Sequence, residues 1–341
     1  ISAGSSPGPM CYPNGGDQPT ITDANVVMGR LPAELIGGGI QLNVERAREG
    51  IAKLGEKLKQ DISVEDLAEG IIEIANWSQA NLIRQMTIEQ GIDPREFALL
   101  SFGGSGPAQS PAVMELLNLV ACIVPPNPGN LSAFGLLMVD YRSDHVFTRV
   151  VGEDELSIEE ARGYYASLEE DAAGALEKDG IERENITFLR QADVRYAGQS
   201  TEVRVTAPGG TFDSAVFAQL IENFHLSHER TYGFCYRDEQ KIEIINFAVS
   251  SFSSVAKPTL NPQENTGNDA APTPKTTRQV YLGKAYHDTP IYDRSDLQPG
   301  SSFAGPLVVE EFGSTTVVFP GQKVDVDAHG ILIVRSNGEG S

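Results

Sequence analysis

Residues 97–111 read FALLSFGGSGPAQSP. An apolar run meets Gly103, Gly104, Ser105 and Gly106, and Pro107 follows. Glycines after a strand and before a helix let backbone N–H groups approach a phosphate or a nucleoside. The same residues also make a tight strand–helix turn with no ligand at all. The stretch has neither the Gly-Lys-Ser/Thr of a Walker loop nor the GxGxxG of a dinucleotide fingerprint, so both readings stand. A second group lies in TITDANVVMGR, where Asp23, Asn25 and Arg30 fall close together. Asp23 could hold a Mg²⁺-bound water or a substrate amide. An Asp at a strand end is equally a turn or capping residue.

Other reactive side chains give weaker patterns. FHLSHERTYG carries His225, His228 and Glu229. Histidines at i and i+3 on a helix can share a metal, but the zincin order is not met. Packing or hydrogen bonding is the stronger reading of such a pair. Cys11 sits in the loop PGPMCYPNGG, and a thiol nucleophile there needs a nearby base. No His occurs in the first 144 residues. Gly104-Ser105-Gly106 lacks the GxSxG spacing of a nucleophile elbow.

Regular elements must position these residues. Asn43 caps a helix running to about Lys59, in which Val44, Ala47, Ile51, Leu54 and Leu58 recur on one face. Ser63 and Asp66 have capping-box spacing ahead of a long helix that Gly91 closes. PTITDANVV reads as strand-like. FALLSF reads as a buried strand, PAVMELLNLV as a helix and ACIVP as a second buried strand. Together these three form a βαβ unit with a right-handed crossover. SIEEARGYYASLEEDAAGALEKDG and FDSAVFAQLIENFHLSHERTYG read as helices. They alternate with strands on both sides of Ala197-Gly198 and at KIEIINFAVSSF. Short strands between turns fill the C-terminal stretch. The fold class is therefore α/β, followed by α+β and β-rich regions. The expected divisions are an α/β part over 1–150, an α+β domain over 151–255, a polar linker or long loop over 256–277, a small β-rich domain over 278–335 and a tail over 336–341.

The totals narrow the function classes. There are 47 acidic and 26 basic residues, a net charge of −21 with no basic stripe, which argues against nucleic-acid binding. No apolar run approaches the roughly 18–20 residues of a membrane span. Three scattered cysteines, Cys11, Cys122 and Cys235, fit a reducing compartment and no zinc spacing. A cytoplasmic location is the expectation. The chain opens on Ile1, and its first segment reads as loop from the interior of a longer protein.

Several segments, in order, resemble the hydantoinase A/5-oxoprolinase family. They are SAGSSPGPMCYPNGG with PTITDANVVMGRL, GIDPREFALLSFGGSGPAQ, VPPNPGNLSAFGLLMVDYRSD, VRYAGQSTEVRV, FHLSHERTYGF and YDRSDLQPGSSFAGPLVVEEFGSTTVVFPGQKVDVDAHG. The resemblance spans nearly the whole chain. It implies the latter part of an actin-like, sugar-kinase type ATPase domain ahead of the C-terminal regions. It also implies ATP and Mg²⁺ as cofactors and a hydantoinase B type partner subunit or domain. The reaction would be activation of a cyclic amide, or of a ketone enolate in the acetone and acetophenone carboxylases. Gly103, Gly104, Ser105 and Gly106 would then line the adenosine side of the nucleotide, with Asp23 and Asn25 as polar contacts near the reacting group. The family's phosphate-binding glycine motifs lie in a part that would precede Ile1, so this chain alone holds an incomplete ATP site. The missing N-terminal half of the ATPase domain would be a partner. Relatives show GGxGPxH where this sequence has Gln109, and Gln cannot act as a general acid or base at neutral pH. A non-catalytic assembly module, docking a B-type partner through its β-rich end, is the rival from another class.

Overall fold

The structure, a computed structural model, describes residues 6–35, 37–59, 61–237, 239–263 and 272–337. The first element is a helix, α1 (Ile21–Val27), where the β-branched residues of PTITDANVV suggest a strand. A reciprocal cap overrides that preference: Asp23 N donates to Thr20 Oγ1, and Thr20 N donates to the Asp23 carboxylate. Two short antiparallel strands follow, β1 (Glu34–Leu35) and β2 (Ile40–Gln41). Asn43 then caps α2 (Val44–Leu58), its Oδ1 accepting from Arg46 N at 2.9 Å, and Lys59 closes that helix in a left-handed conformation. Ser63 caps α3 (Val64–Ile88) through Asp66 N. Ala24, Met28, Ile51 and Ile72 bring these three helices onto one core.

The βαβ unit comes next. β3 (Ala98–Leu100), α4 (Gly106–Leu117) and β4 (Ala121–Val124) are present, and the two strands run parallel with Leu99 opposite Cys122. β4 is buried as expected. β3 is not, because it is the edge of its sheet and has a neighbour on one side only. Leu100 is half-exposed, as are Phe97 and Phe102 beside it. α5 (Leu131–Leu136) ends this part of the chain.

Residues Leu137–Pro258 form a compact unit of their own. It contains β5 (Tyr141–Gly152), α6 (Ile158–Lys178), β6 (Thr187–Tyr196), β7 (Val203–Thr206), α7 (Ser214–Tyr232) and β8 (Ile242–Ser253). The sheet order is β5-β8-β6-β7, all antiparallel. Tyr165, Tyr196, Phe212, Phe224 and Phe247 dominate its core.

The remaining strands are β9 (Thr276–Leu282), β10 (Ala285–Asp293), β11 (Ser302–Ala304), β12 (Leu307–Glu311), β13 (Ser314–Val318), β14 (Gln322–Val326) and β15 (Leu332–Ser336). They do not make the separate small β-rich domain expected over 278–335. They belong to one compact unit with residues 1–136. The physical reason is backbone pairing: β15 runs antiparallel to β4, with Val334 opposite Cys122, giving a five-stranded sheet β11-β14-β15-β4-β3. A second sheet, β13-β12-β10-β9, is tied to the N-terminal helices. Arg30 is buried, pairs with Glu69 and donates Nε to Tyr281 O, while Glu69 accepts from Gly283 N and Lys284 N. The expected linker is also partly anchored, since Gln263 N donates to Ala328 O at 2.8 Å. Residues 264–271 of that linker, and the tail from 338 onward, lie outside the described residues.

Candidate functional site

A cleft of about 800 Å³ opens where β3 and β4 end. Gly104 and Ser105, just beyond β3, line one side, and Pro126 and Asn127, just beyond β4, continue it. The turn joining β12 to β13, Phe312-Gly313, forms part of the wall. Ligands of open α/β sheets occupy this carboxyl-end edge. The turn fits closely against the glycines. A Cβ on Gly104 would lie 2.9 Å from Gly313 O, and one on Gly129 would lie 3.4 Å from it. Gly103 has a φ of 83°, a left-handed conformation that only glycine adopts at little cost. The glycines therefore answer two needs at once: the turn conformation and the close approach of another backbone.

The floor of the cleft is a buried ion pair. Arg294 donates Nη2 to Val124 O and Gly330 O, at 3.0 and 2.7 Å. Its Nη1 lies 3.5 Å from Glu311 Oε1, and Glu311 Oε2 accepts from Asn127 N at 2.9 Å. Burial pushes the Glu311 carboxyl up and the Arg294 guanidinium down, each opposed by the charge of the other. The lining holds four carboxylates, Glu34, Asp293, Glu310 and Glu311, against two cations, Lys275 and Arg294. That balance disfavours a polyphosphate and suits an uncharged, hydrogen-bonding ligand.

Asp23 and Asn25 are elsewhere. Neither is among the residues lining the cleft. Asp23 is fully buried, and both its oxygens are committed: Oδ1 accepts from Cys11 N at 2.7 Å, and Oδ2 from Met10 N, Thr20 N and Thr20 Oγ1 at 3.1, 2.7 and 2.8 Å. Such a carboxylate locks the N-terminal loop onto α1. Asn25 Nδ2 bonds Ile21 O within the same helix, and its Oδ1 is buried without a hydrogen-bond partner. Cys11 is fully buried, and burial, reinforced by Asp23, raises its thiol, so it is held protonated rather than poised as a nucleophile. The structure thus brings the glycine turn to a cleft and leaves Asp23, Asn25 and Cys11 in a packed core. Arg294, Glu311 and Phe312 are not legible in the sequence, because their place in the cleft depends on contacts between distant segments: Arg294 with Val124 O, 170 residues away, and Glu311 with Asn127 N, 184 residues away.

Comparison with known proteins decides the family. The hydantoinase/oxoprolinase model matches residues 1–145, and the hydantoinase/oxoprolinase C-terminal domain matches residues 153–337. The chain belongs to the hydantoinase/oxoprolinase family. An uncharacterized protein of Methanocaldococcus jannaschii is 39% identical over 98% of the chain and 47% of its own length. The caprolactamase subunit alpha of Pseudomonas jessenii is 32% identical over 96% of the chain and 47% of its own length. The crystal structure of the ATP-dependent caprolactamase from that organism superposes with a TM-score of 0.74, at 31% identity, over 99% of the chain and 49% of its own. Nucleotide-free acetone carboxylase superposes with a TM-score of 0.81 at 24% identity, over 96% of the chain and 48% of its own, and shares the mixed α/β fold. The chain spans about half the length of these relatives.

Two features of this hydantoinase/oxoprolinase chain can now be placed. Gln109, where the family resemblance leads one to expect His, is buried on α4 and accepts at Oε1 from Gln79 Nε2 of α3 at 2.9 Å. It does not line the cleft. His225 and His228 are both buried on α7. His228 Nδ1 lies 2.8 Å from Phe234 O and therefore carries the proton, leaving Nε2 to accept from Gln199 Nε2 at 3.2 Å. Tyr196 Oη accepts from Tyr236 N and lies 2.8 Å from His225 Nδ1. These contacts fasten the loop after Gly233 onto the aromatic core. Among the described residues no group of three or more His, Cys, Asp or Glu side chains could hold a metal. No helix among them is long and apolar enough to cross a membrane.

Proposed function

We propose that this chain is a portion of an ATP-dependent A-type subunit that opens a cyclic amide, and that its cleft takes the adenosine end of ATP. The observation that carries this reading is the cleft itself, where a glycine turn at the carboxyl edge of two parallel strands faces an acidic lining. An acidic wall with a backbone cradle fits a base and ribose better than phosphates. ATP supplies the phosphoryl group that turns an amide oxygen into a leaving group. The chain's own contribution is positioning: the glycine backbone and Asn127 frame the ligand, and the Arg294–Glu311 pair keeps both sides of the cleft in register. The phosphate-gripping part and the reacting groups would come from the rest of the ATPase domain and from a B-type partner. The relatives favour cyclic amides, among them the caprolactamase alpha subunit and 5-oxoprolinase 1 of Arabidopsis thaliana, 30% identical.

Ketone carboxylation is the second reading, favoured by the sequence relationship to the acetophenone carboxylase gamma subunit of Aromatoleum aromaticum, 28% identical, and the acetone carboxylase beta subunit of Xanthobacter autotrophicus, 27% identical. Measuring substrate-dependent ATP hydrolysis separates the two. The chain is assayed in its full-length protein with a B-type partner, against hydantoin, 5-oxoproline, caprolactam, and acetone with bicarbonate. Stimulation by a cyclic amide supports the first reading, and stimulation only by ketone with bicarbonate supports the second. If no substrate stimulates and no nucleotide binds, both are rejected in favour of a non-catalytic assembly module.

A further inference from the structure

Phe312 is the most exposed aromatic side chain among the described residues, at 64%, and it lines the cleft. Its position is fixed rather than loose. It is the first residue of the two-residue turn between Glu311 and Ser314, which face each other at the end of a five-pair antiparallel ladder. Gly313, the second turn residue, has a φ of 76°, and its carbonyl abuts the space a Gly104 side chain would fill. Glu311, next to Phe312, is held by Asn127 N and Arg294. A rigid turn thus carries a large apolar ring at the cleft wall, beside a backbone cradle and within an acidic lining. Burial would be the cheaper place for that ring, and an exposed aromatic in a concave polar site is a ready surface for a flat ligand.

We infer that Phe312 is the stacking platform for the purine base of a nucleoside bound in this cleft. The inference rests on the adenosine reading proposed above and adds a residue and a contact to it. A planar heteroaromatic ring gains from a π-face, whereas a puckered saturated lactam gains only from bulk, so an aromatic platform favours the base over the cyclic amide. The uncharged base and ribose also suit the acidic lining.

The test titrates the full-length protein that contains this chain with adenosine and, separately, with 5-oxoproline, following ligand NMR signals. Because Phe312 is exposed, its replacement leaves the fold standing, which a thermal melt checks. Phe312→Ala weakens adenosine binding about tenfold or more, and Phe312→Leu, similar in bulk but without a π-face, recovers little of the loss. Phe312→Trp keeps the affinity, and its added emission is quenched by adenosine while the emission of Trp77 in the unaltered chain stays constant. Adenosine binding within twofold of the original in Phe312→Ala, or full recovery in Phe312→Leu, overturns the stacking role and leaves the cleft as a nucleoside site. No adenosine binding to the unaltered full-length protein at millimolar concentration rejects the nucleoside reading itself and the platform with it. Phe312-dependent binding of 5-oxoproline but not adenosine transfers the site to the cyclic amide and overturns the purine assignment.

Discussion

Asp23→Asn separates a structural carboxylate from a catalytic one. The side chain is fully buried and accepts four hydrogen bonds, three from backbone N–H groups and one from the Thr20 hydroxyl. An amide keeps the shape but turns one oxygen into a donor. The less damaging orientation aims the new NH₂ at Cys11 N, losing the 2.7 Å bond and setting two donors face to face. The other orientation would lose three bonds. A buried donor stripped of its acceptor costs about 1–3 kcal/mol, and the charge assistance of the remaining three bonds disappears as well. The expected loss is about 2–4 kcal/mol, a large share of the roughly 5–15 kcal/mol that holds an ordinary domain together. Urea unfolding of the chain followed by circular dichroism measures it. The variant should unfold at clearly lower urea, with Cys11 newly open to a thiol reagent. Unchanged stability and a shielded Cys11, together with lost turnover in the assembled enzyme, would refute the structural assignment and return Asp23 to the reaction.

Further expectations follow from the same geometry. Gly104→Ala pushes a methyl group toward Gly313 O, 2.9 Å away, and should cost about 1–3 kcal/mol with a displaced Gly313 amide signal; an unshifted signal would count against the packing role. His228→Ala removes a buried ring packed against Tyr196, Phe224 and Tyr232, together with its bonds to Phe234 O and the half-buried Gln199 amide, and should lower stability by about 2–4 kcal/mol, read as a fall in melting temperature; added zinc should not restore it. The Arg204 fork holds Asp193 below the ordinary Asp value of 3.8, helped by Asn246. A depressed folded pKa stabilises above the unfolded value and is lost as pH falls through the folded one. The urea midpoint should thus drop on acidification below 3.8, and Arg204→Gln should flatten that slope.

Local rules read the helices well. Asn43, Ser63 and Ser157 each cap the helix that follows, through the backbone N–H three residues on. Such signals live within a few residues and need no tertiary knowledge. PTITDANVV was misread because its β-branched residues outweighed a cap whose second half, Asp23, looked like a functional group. The glycine turn was legible as a candidate, but its neighbour was not. Gly313 and Phe312 reach it through β12 and β13, and no local period encodes that meeting. The boundary of the β-rich segment failed for the same reason. β15 has the look of an independent strand, yet it also pairs with β4, from which the whole Leu137–Pro258 segment separates it in sequence. β3 reads as buried from its apolar run, whereas hydropathy alone cannot say which strand stands at an edge.

The unit Leu137–Pro258 enters and leaves through paired strands: Tyr141 near the start of β5 lies opposite Ser253 at the end of β8. The unit is thus a loop of sequence drawn through a two-stranded stem. Excision between those strands, with a short linker, should leave two chain ends already side by side. During synthesis, β4 must wait with one flank open until β15 emerges from the ribosome, long after the inserted unit can fold. A ribosome stalled before β15 would therefore hold a finished insert beside an unfinished sheet, with the unpaired edge of β4 open to other strands.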